Sequence, residues 1–480
     1  MARMAFPSTS SSSRSSNQWA GRDKKNSITK TTDIEVRDEG KGQLRKETIQ
    51  DCMAVAGSFL LIMATGGAVN SVGLLQTHWE TNQLKDYSPQ AIGWISGVNL
   101  YLSLFLPVLA GPIFDRYGHI WLMAIGSIFF LLGIFLMSFF DNHSPPALTL
   151  GMMILSWGVL GGIGYGLVCT AVSGLLCLRF DRCRGLANGF SSLGNAIGGV
   201  MWPMMLRVTI ESLGWAWSIR SISGLVFVLL AVGNGLVWDW SKIVPKKKLE
   251  PNPEKATPET PIPEKPIPEK PSASLGQCIR EGVRCFRRGD FLWLTASLSI
   301  YQFVVMGVAG TLPSWGVASG FDRSLTFDII AVVNAGSAGG RVLVCSMSDW
   351  IGRFNSVILA QVMGIIVAFG LFNNIGTSVG IFYVFAALWG FANGAILGLM
   401  APLLGELCDA EEFGKYLSAS SVVISIAGLV CIPLAAEMLG TLGPHTHVIC
   451  FGTLFILSLM TMAMARVTFM NYSFKVWRKA

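Results

Sequence analysis

Twelve long apolar stretches dominate the chain, divided six and six by a charged, proline-rich segment from Ser241 to Asp290. Each stretch holds about 20 residues, which as a helix rises far enough to cross a hydrocarbon layer roughly 30 Å thick. An open strand or an irregular loop facing lipid would leave backbone groups unpaired, so the spans must be helical. The pattern predicts them at Cys52–Gln76, Ile92–Gly111, Ile120–Phe140, Leu148–Leu176, Leu186–Leu206 and Trp215–Trp238, then Phe291–Val317, Phe327–Met347, Val357–Phe372, Val379–Leu403, Leu417–Leu439 and Val448–Phe469. The ninth is short because Asn373 and Asn374 end it. The expected fold class is an all-α polytopic membrane protein with twelve transmembrane helices in two six-helix bundles.

Composition supports the pattern. Of 480 residues 51% are apolar and 14% charged, too few polar positions to cover the outside of a large soluble helical protein. Basic residues in short loops set the orientation. With the N-terminus inside, Arg116, Arg179, Arg182, Arg184, Lys242, Lys246–Lys248, Arg284, Arg287, Arg288, Arg353, Lys475, Arg478 and Lys479 are cytosolic, against Lys85, Arg207 and Arg323 outside. Both termini are therefore expected in the cytosol.

The domain reading follows. Residues 1–50 form a Ser-rich tail with no apolar core for a cleavable signal, and Asp33, Glu35, Asp38 and Glu39 argue against a mitochondrial presequence. Residues 51–240 and 290–470 are the two bundles. Residues 241–274 make a hydrated linker whose Pro-Glu-Lys repeats favour an extended chain, and 471–480 make a cytosolic tail. Residues 275–289 read as a short helix at the inner membrane surface, with Ile279, Val283 and Phe286 on one face and Arg280, Arg284, Arg287 and Arg288 nearby.

Candidate chemistry is sparse, and its absence narrows the function. The ten Cys residues have no close metal-ligand spacing, no phosphate-binding GxxxxGK[ST] loop or dinucleotide fingerprint is present, and the acidic trio Asp409, Glu411 and Glu412 lacks neighbouring His or Cys. No enzyme, cofactor, metal or nucleic-acid partner is expected. The partners are the bilayer and a small organic solute, and the chain is expected to work as a monomer. Asn142-His143-Ser144 is a sequon on an outer loop, short and followed by Pro.

Two related turns stand out. GPIFDRYGH, Gly111–His119, follows the second span, and SDWIGRFN, Ser348–Asn355, follows the eighth. Asp115, Arg116 and Gly118, and their counterparts Asp349, Gly352 and Arg353, combine an acid, a base and a permissive glycine at an inner helix end, suited to a charged latch between helices. Repetition in each half suggests two structurally related halves.

Here the chain resembles the major facilitator superfamily, whose signature loop reads G-x-x-x-D-R-x-G-R; His119 stands where a second basic residue is common. The resemblance implies two six-helix bundles around a central cavity that alternates its access. Three further stretches are similar to the fungal branch of the monocarboxylate porter family: GGAVNSVGLLQTHW from Gly66, RFDRCRGLANGFSSLGNAIGGV from Arg179 and NAGSAGGRVLVCSMSDWIGRFN from Asn334. They imply a monocarboxylate or related organic anion as substrate, a proton as candidate co-substrate and the plasma membrane as location, with a vacuolar or organellar membrane as alternative. Related fungal transporters of riboflavin and of secondary metabolites supply the competing solute class.

Arg341 is the foremost binding candidate, since a charge inside an apolar span is costly unless it meets an anion, a partner or water. A guanidinium can grip a carboxylate through two parallel hydrogen bonds; the alternative is a structural ion pair or a clamp on backbone carbonyls. Asn70, Tyr301, Gln302 and Asn334 are the other expected contacts. The animal monocarboxylate porters carry an intramembrane Lys and an Asp where this chain has Asn70 and Ser337, so their proton coupling does not transfer. In the expected mechanism Arg341 holds the carboxylate while the turns at Asp115–Arg116 and Asp349–Arg353 stabilise the outward-open form.

Overall fold

The computed structural model describes residues 50–140, 145–180, 184–238, 284–376, 378–408 and 413–470. The N-terminal tail, the linker, most of the 275–289 segment, the sequon, the acidic trio and the C-terminal tail lie outside them. Among the described residues ten helical segments are long and apolar enough to cross a membrane. In chain order they are α1 (Gln50–Thr81), α2 (Pro89–Tyr117), α3 (His119–Met137), α4 (Pro146–Arg179 in three consecutive pieces), α5 (Arg184–Trp238), α6 (Gly289–Ala318), α7 (Arg323–Ile351), α8 (Arg353–Gly370), α9 (Val379–Glu406) and α10 (Phe413–Phe469).

Local chemistry explains the boundaries. Ser88 caps α2 by accepting from the Ala91 amide at 3.3 Å, with Pro89 in the first turn, where its missing N–H costs nothing. Gly118 (φ 77°) separates α2 from α3, and Gly352 (φ 95°) separates α7 from α8. These are the glycines of the two related turns, and both adopt a left-handed backbone that a side chain would strain.

Two segments carry far more helix than one crossing needs. The apolar part of α5 is 52 residues long and that of α10 is 56, each about 80 Å at 1.5 Å per residue. Each is broken by one non-helical glycine, Gly214 (φ 73°, ψ 173°) in α5 and Gly443 (φ 77°, ψ 169°) in α10. The same pair of junctions thus recurs in both parts of the chain: a glycine turn after one helix pair, then a glycine break inside a long apolar segment.

The interior divides into two apolar clusters. One is built mainly from α1 to α5 around Trp79, Phe130, Trp157 and Trp202. The other runs from α6 to α10, where Trp315, Phe372, Phe385, Trp389 and Phe455 form a chain of neighbouring rings. Outward-facing residues are also apolar; Ile128 and Val208 are each 65% exposed, and an exterior of that kind suits lipid and not water. The chain is a multi-pass membrane protein.

One local feature was not foretold by the apolar pattern. Ile154–Gly161 in α4 winds as a π-helix, and Asn99 on α2 donates to the Trp157 carbonyl within it at 2.7 Å. Gly161 and Gly162 there sit against Asn99 itself, so the wider turn and the small residues together bring α4 onto α2.

Candidate functional site

A cavity of about 60 Å³ lies between the two apolar clusters, enough for a few water molecules. Val69 and Asn70 of α1, Val305 and Leu312 of α6, Asn334, Ser337 and Arg341 of α7, and Trp389, Asn393 and Leu397 of α9 are among its walls. The spacing of 334, 337 and 341 puts one face of α7 toward the space, as does that of 389, 393 and 397 for α9.

The sequence flagged Arg341, and it lines this cavity with 5% of its surface exposed. One terminal nitrogen, Nη1, donates to the Ser192 carbonyl of α5, while Nε is buried without a hydrogen-bond partner. The Tyr165 and Tyr301 rings lie within electrostatic reach, and among the described residues no carboxylate pairs with it. Among the described residues, then, this buried cation has no counter-charge.

Asn70 and Asn334 also line the cavity and meet each other. Asn70 sits at the turn that interrupts α1, and its Nδ2 donates to Asn334 Oδ1 at 3.1 Å and to the Asn195 carbonyl at 3.4 Å. Asn334 Nδ2 donates to the Gly199 and Ile330 carbonyls, each at 3.0 Å. Together they tie α1 and α7 to α5, and a side chain at Gly199 would collide with Asn334.

Tyr301 and Gln302 are placed differently. Both are buried, neither is in the cavity wall, and the Tyr301 hydroxyl donates to the Asn393 carbonyl at 3.0 Å. Tyr301 thus stands behind the wall and steadies α9. Asn393 and Trp389 line the wall instead. Trp389 carried no signal in the sequence, because an indole in an apolar span looks like any other packing residue.

The end of the cavity nearer Glu80 is sealed. Ser314 of α6 donates to Glu80 Oε2 at 2.8 Å and meets the Thr77 hydroxyl at 3.1 Å, while Gly73 packs on the Ala309 carbonyl. Arg207 at the same end of α5 pairs with Asp328 of α7 at 2.6 Å. Gly93 and Gly97 of α2 abut Pro433 and Leu429 of α10. Glu80 was missed in the sequence because a charge at the edge of a span reads as a solvated flank.

At the opposite end, the side chains of Asp115, Arg116 and Asp349 lie outside the described set. Arg353 pairs with Glu406 at 3.1 Å and donates to the Pro402 carbonyl at 3.1 Å, joining α8 to α9. Arg288, the last residue before α6, binds Asp290 and donates to the Leu407 carbonyl at 2.8 Å. The Asp290 hydrogen bonds raise its pKa further, so it stays charged at any working pH.

The sequence profile of the Major Facilitator Superfamily matches residues 53–430. The chain belongs to that superfamily. Among its relatives, an MFS-type transporter of an Ophiocordyceps species is 25% identical over 79% of this chain and 76% of its own length. A riboflavin transporter of Saccharomyces cerevisiae is 26% identical over 82% and 74%. An agnestins efflux protein of Paecilomyces divaricatus is 26% identical over 84% and 86%. This superfamily member is accordingly a secondary active transporter of small organic molecules across a membrane, and not an enzyme.

The sealed end gives a prediction for the Arg207–Asp328 pair. Both side chains are a third or more exposed, so the pair contributes at most about 1 kcal/mol to folding. Arg207→Asp should leave the melting temperature of the purified protein nearly unchanged. It should increase labelling of cysteines introduced into the cavity wall by a reagent applied on that side, and Asp328→Arg in the same chain should reverse the increase.

Proposed function

We propose that this transporter moves a monocarboxylate or related organic anion by alternating access, with Arg341 as the group that receives the anionic end. The observation that carries the reading is a cavity-lining guanidinium, buried, with one nitrogen unpartnered and, among the described residues, no carboxylate against it. A cation at membrane depth is costly unless an anion meets it, and an arriving carboxylate supplies both the charge and the acceptors. Asn70 and Asn334 shape the neighbouring wall, and Tyr301 and Gln302 support it from behind.

The twelve-span reading, with bundles at 51–240 and 290–470, is supported by the breaks at Gly214 and Gly443, since each converts one over-long apolar segment into two membrane-length helices. The distribution of basic residues puts both termini in the cytosol. The sealed Glu80 end is then the outer one, and the cavity is shut against the outside. Opening it requires the Ser314 contacts and the Arg207–Asp328 pair to part, while the glycine turns at Asp115–Arg116 and Asp349–Arg353 close the inner end. The plasma membrane is the proposed location, and a proton is a candidate co-substrate with no residue assigned to it.

A second reading is riboflavin or a larger secondary metabolite. Relatives named for riboflavin and agnestins favour it, as does the indole of Trp389 in the cavity wall. Uptake by sealed proteoliposomes separates the two. Saturable accumulation of labelled short monocarboxylates, steeper under an inward proton gradient, is the expected result. Uptake of riboflavin with none of any short acid would replace the first reading by the second.

A further inference from the structure

We propose that the transported acid carries a second polar group, a hydrogen-bond donor such as a hydroxyl or N–H, separated from its carboxylate by about the distance between Arg341 and Asn393. The inference rests on the assignment of Arg341 to the anion and adds what the rest of the molecule must contain.

Two buried polar groups in the cavity wall are unspent, and they are of opposite kind. Arg341 Nε is a donor without an acceptor. Asn393, 4% exposed, gives its Nδ2 to the Trp389 carbonyl at 2.8 Å, and its Oδ1 has no donor. The orientation of that amide is fixed chemically, because only the nitrogen can donate to a carbonyl. Of the other polar side chains of α1 and α7 in the wall, the amides Asn70 and Asn334 are engaged with each other and with backbone carbonyls, and Ser337 is a hydroxyl that can turn to donate or accept. Buried polar groups are ordinarily paired, and two exceptions on residues that line one cavity call for a ligand that pairs both.

Helix packing sets their separation. The Val333 carbonyl abuts Gly390, the Ser337 carbonyl abuts Gly394, and Gly398 lies beside Arg341, with its Cβ position 3.8 Å from Arg341 Cγ. α7 and α9 therefore run parallel in a fixed register of matching four-residue steps. Asn393 stands at the level of residues 336 and 337, some four to five residues along the axis from Arg341, or roughly 6 to 8 Å at the helical rise. A carboxylate on Arg341 and a donor on Asn393 Oδ1 are thus held by the two helices at a defined spacing, in a cavity that aliphatic side chains such as Val305 and Leu312 also line. An acid without the donor leaves Asn393 Oδ1 unpaired in a site from which water is displaced, and sites of this kind reject the analogue lacking the group.

Three acids test this: pentanoate, 5-hydroxypentanoate and 2-hydroxypentanoate. The last has the composition of the second but its hydroxyl beside the carboxylate. Binding is read as thermal stabilisation of the purified full-length protein in nanodiscs, titrated with each acid. The 5-hydroxy acid is expected to bind at least tenfold tighter than either of the others. That preference should fall to near unity in Asn393→Leu, and in Asn393→Ser should the leucine variant not fold, with pentanoate binding the leucine variant at least as tightly as the wild type because the oxygen it would leave unpaired is gone. Equal binding of all three acids, or a preference that survives both substitutions, overturns the inference; loss of all binding in Arg341→Gln in that case leaves the anion assignment standing. Acids that bind Arg341→Gln as well as wild type, or that do not bind wild type at all, overturn the anion assignment and this inference with it.

Discussion

Replacing Arg341 with Gln should abolish saturable uptake of organic anions while leaving the protein folded in the membrane, and the two effects have opposite physical origins. A carboxylate held by two charge-assisted hydrogen bonds loses roughly 3 to 6 kcal/mol when the cation is removed, a fall in affinity of about 150-fold to 25,000-fold. Folding responds differently. The chain spends desolvation energy to bury a guanidinium with one nitrogen unpartnered and the Ser192 carbonyl as a backbone acceptor. A neutral amide removes that cost, so the melting temperature should hold or rise. Were Arg341 instead a clamp between α5 and α7, the same substitution would lower the melting temperature by several degrees and spare the affinity of whatever uptake remained. Arg341→Lys separates charge from geometry: it keeps the cation, loses the planar fork, and should retain weak uptake with a raised KM.

A second substitution should have a comparably large effect through packing. A side chain at Gly340 would run into the Phe391 carbonyl of α9, and one at Gly394 into the Ser337 backbone of α7. Neither obstacle is a flexible side chain that could turn aside, so the helices must separate. Gly340→Leu is expected to destabilise the protein by more than the roughly 1 to 3 kcal/mol typical of overpacking. It should also halt transport even at temperatures where the variant is folded, because the displacement shifts Arg341 relative to Asn393. The neighbouring Gly339 supplies the control. Its added Cβ would meet only the Phe391 ring edge, at 3.6 Å, an ordinary contact. Gly339→Ala should therefore retain near-normal stability and uptake, and parallel losses in the two variants would show that the α7–α9 contact is not the cause.

The membrane class, the helical spans and the repeated turns were legible in the sequence because each rests on a local or compositional rule. Twenty apolar residues in a row have one stable solution in lipid, and a glycine between two apolar runs marks a turn whichever helices surround it. The apolar pattern expects two spans in each of α5 and α10, and the structure shows each as a long helical segment with one non-helical glycine, Gly214 or Gly443, between the expected spans. Arg341 was legible for a related reason: a lone charge in an apolar span is conspicuous without any knowledge of its neighbours.

What each polar side chain does was decided only by tertiary structure, because hydrogen-bond capacity is spent on partners distant in sequence. Asn70 and Asn334 are 264 residues apart and engage each other, and Tyr301 reaches back to the Asn393 carbonyl, away from the cavity. Asn393 and Tyr301 are both polar residues within spans, yet one keeps an unpaired oxygen at the wall and the other has used its hydroxyl behind it. Glu80 drew no notice in the sequence, and only the fold brings Ser314 of α6 onto its carboxylate. By itself the sequence determined a many-span helical transporter with a costly cation inside an apolar span, since hydropathy and backbone pairing act along the chain. The tertiary structure decided which groups face the cavity and which are already satisfied, since that depends on the register in which parallel and facing helices pack.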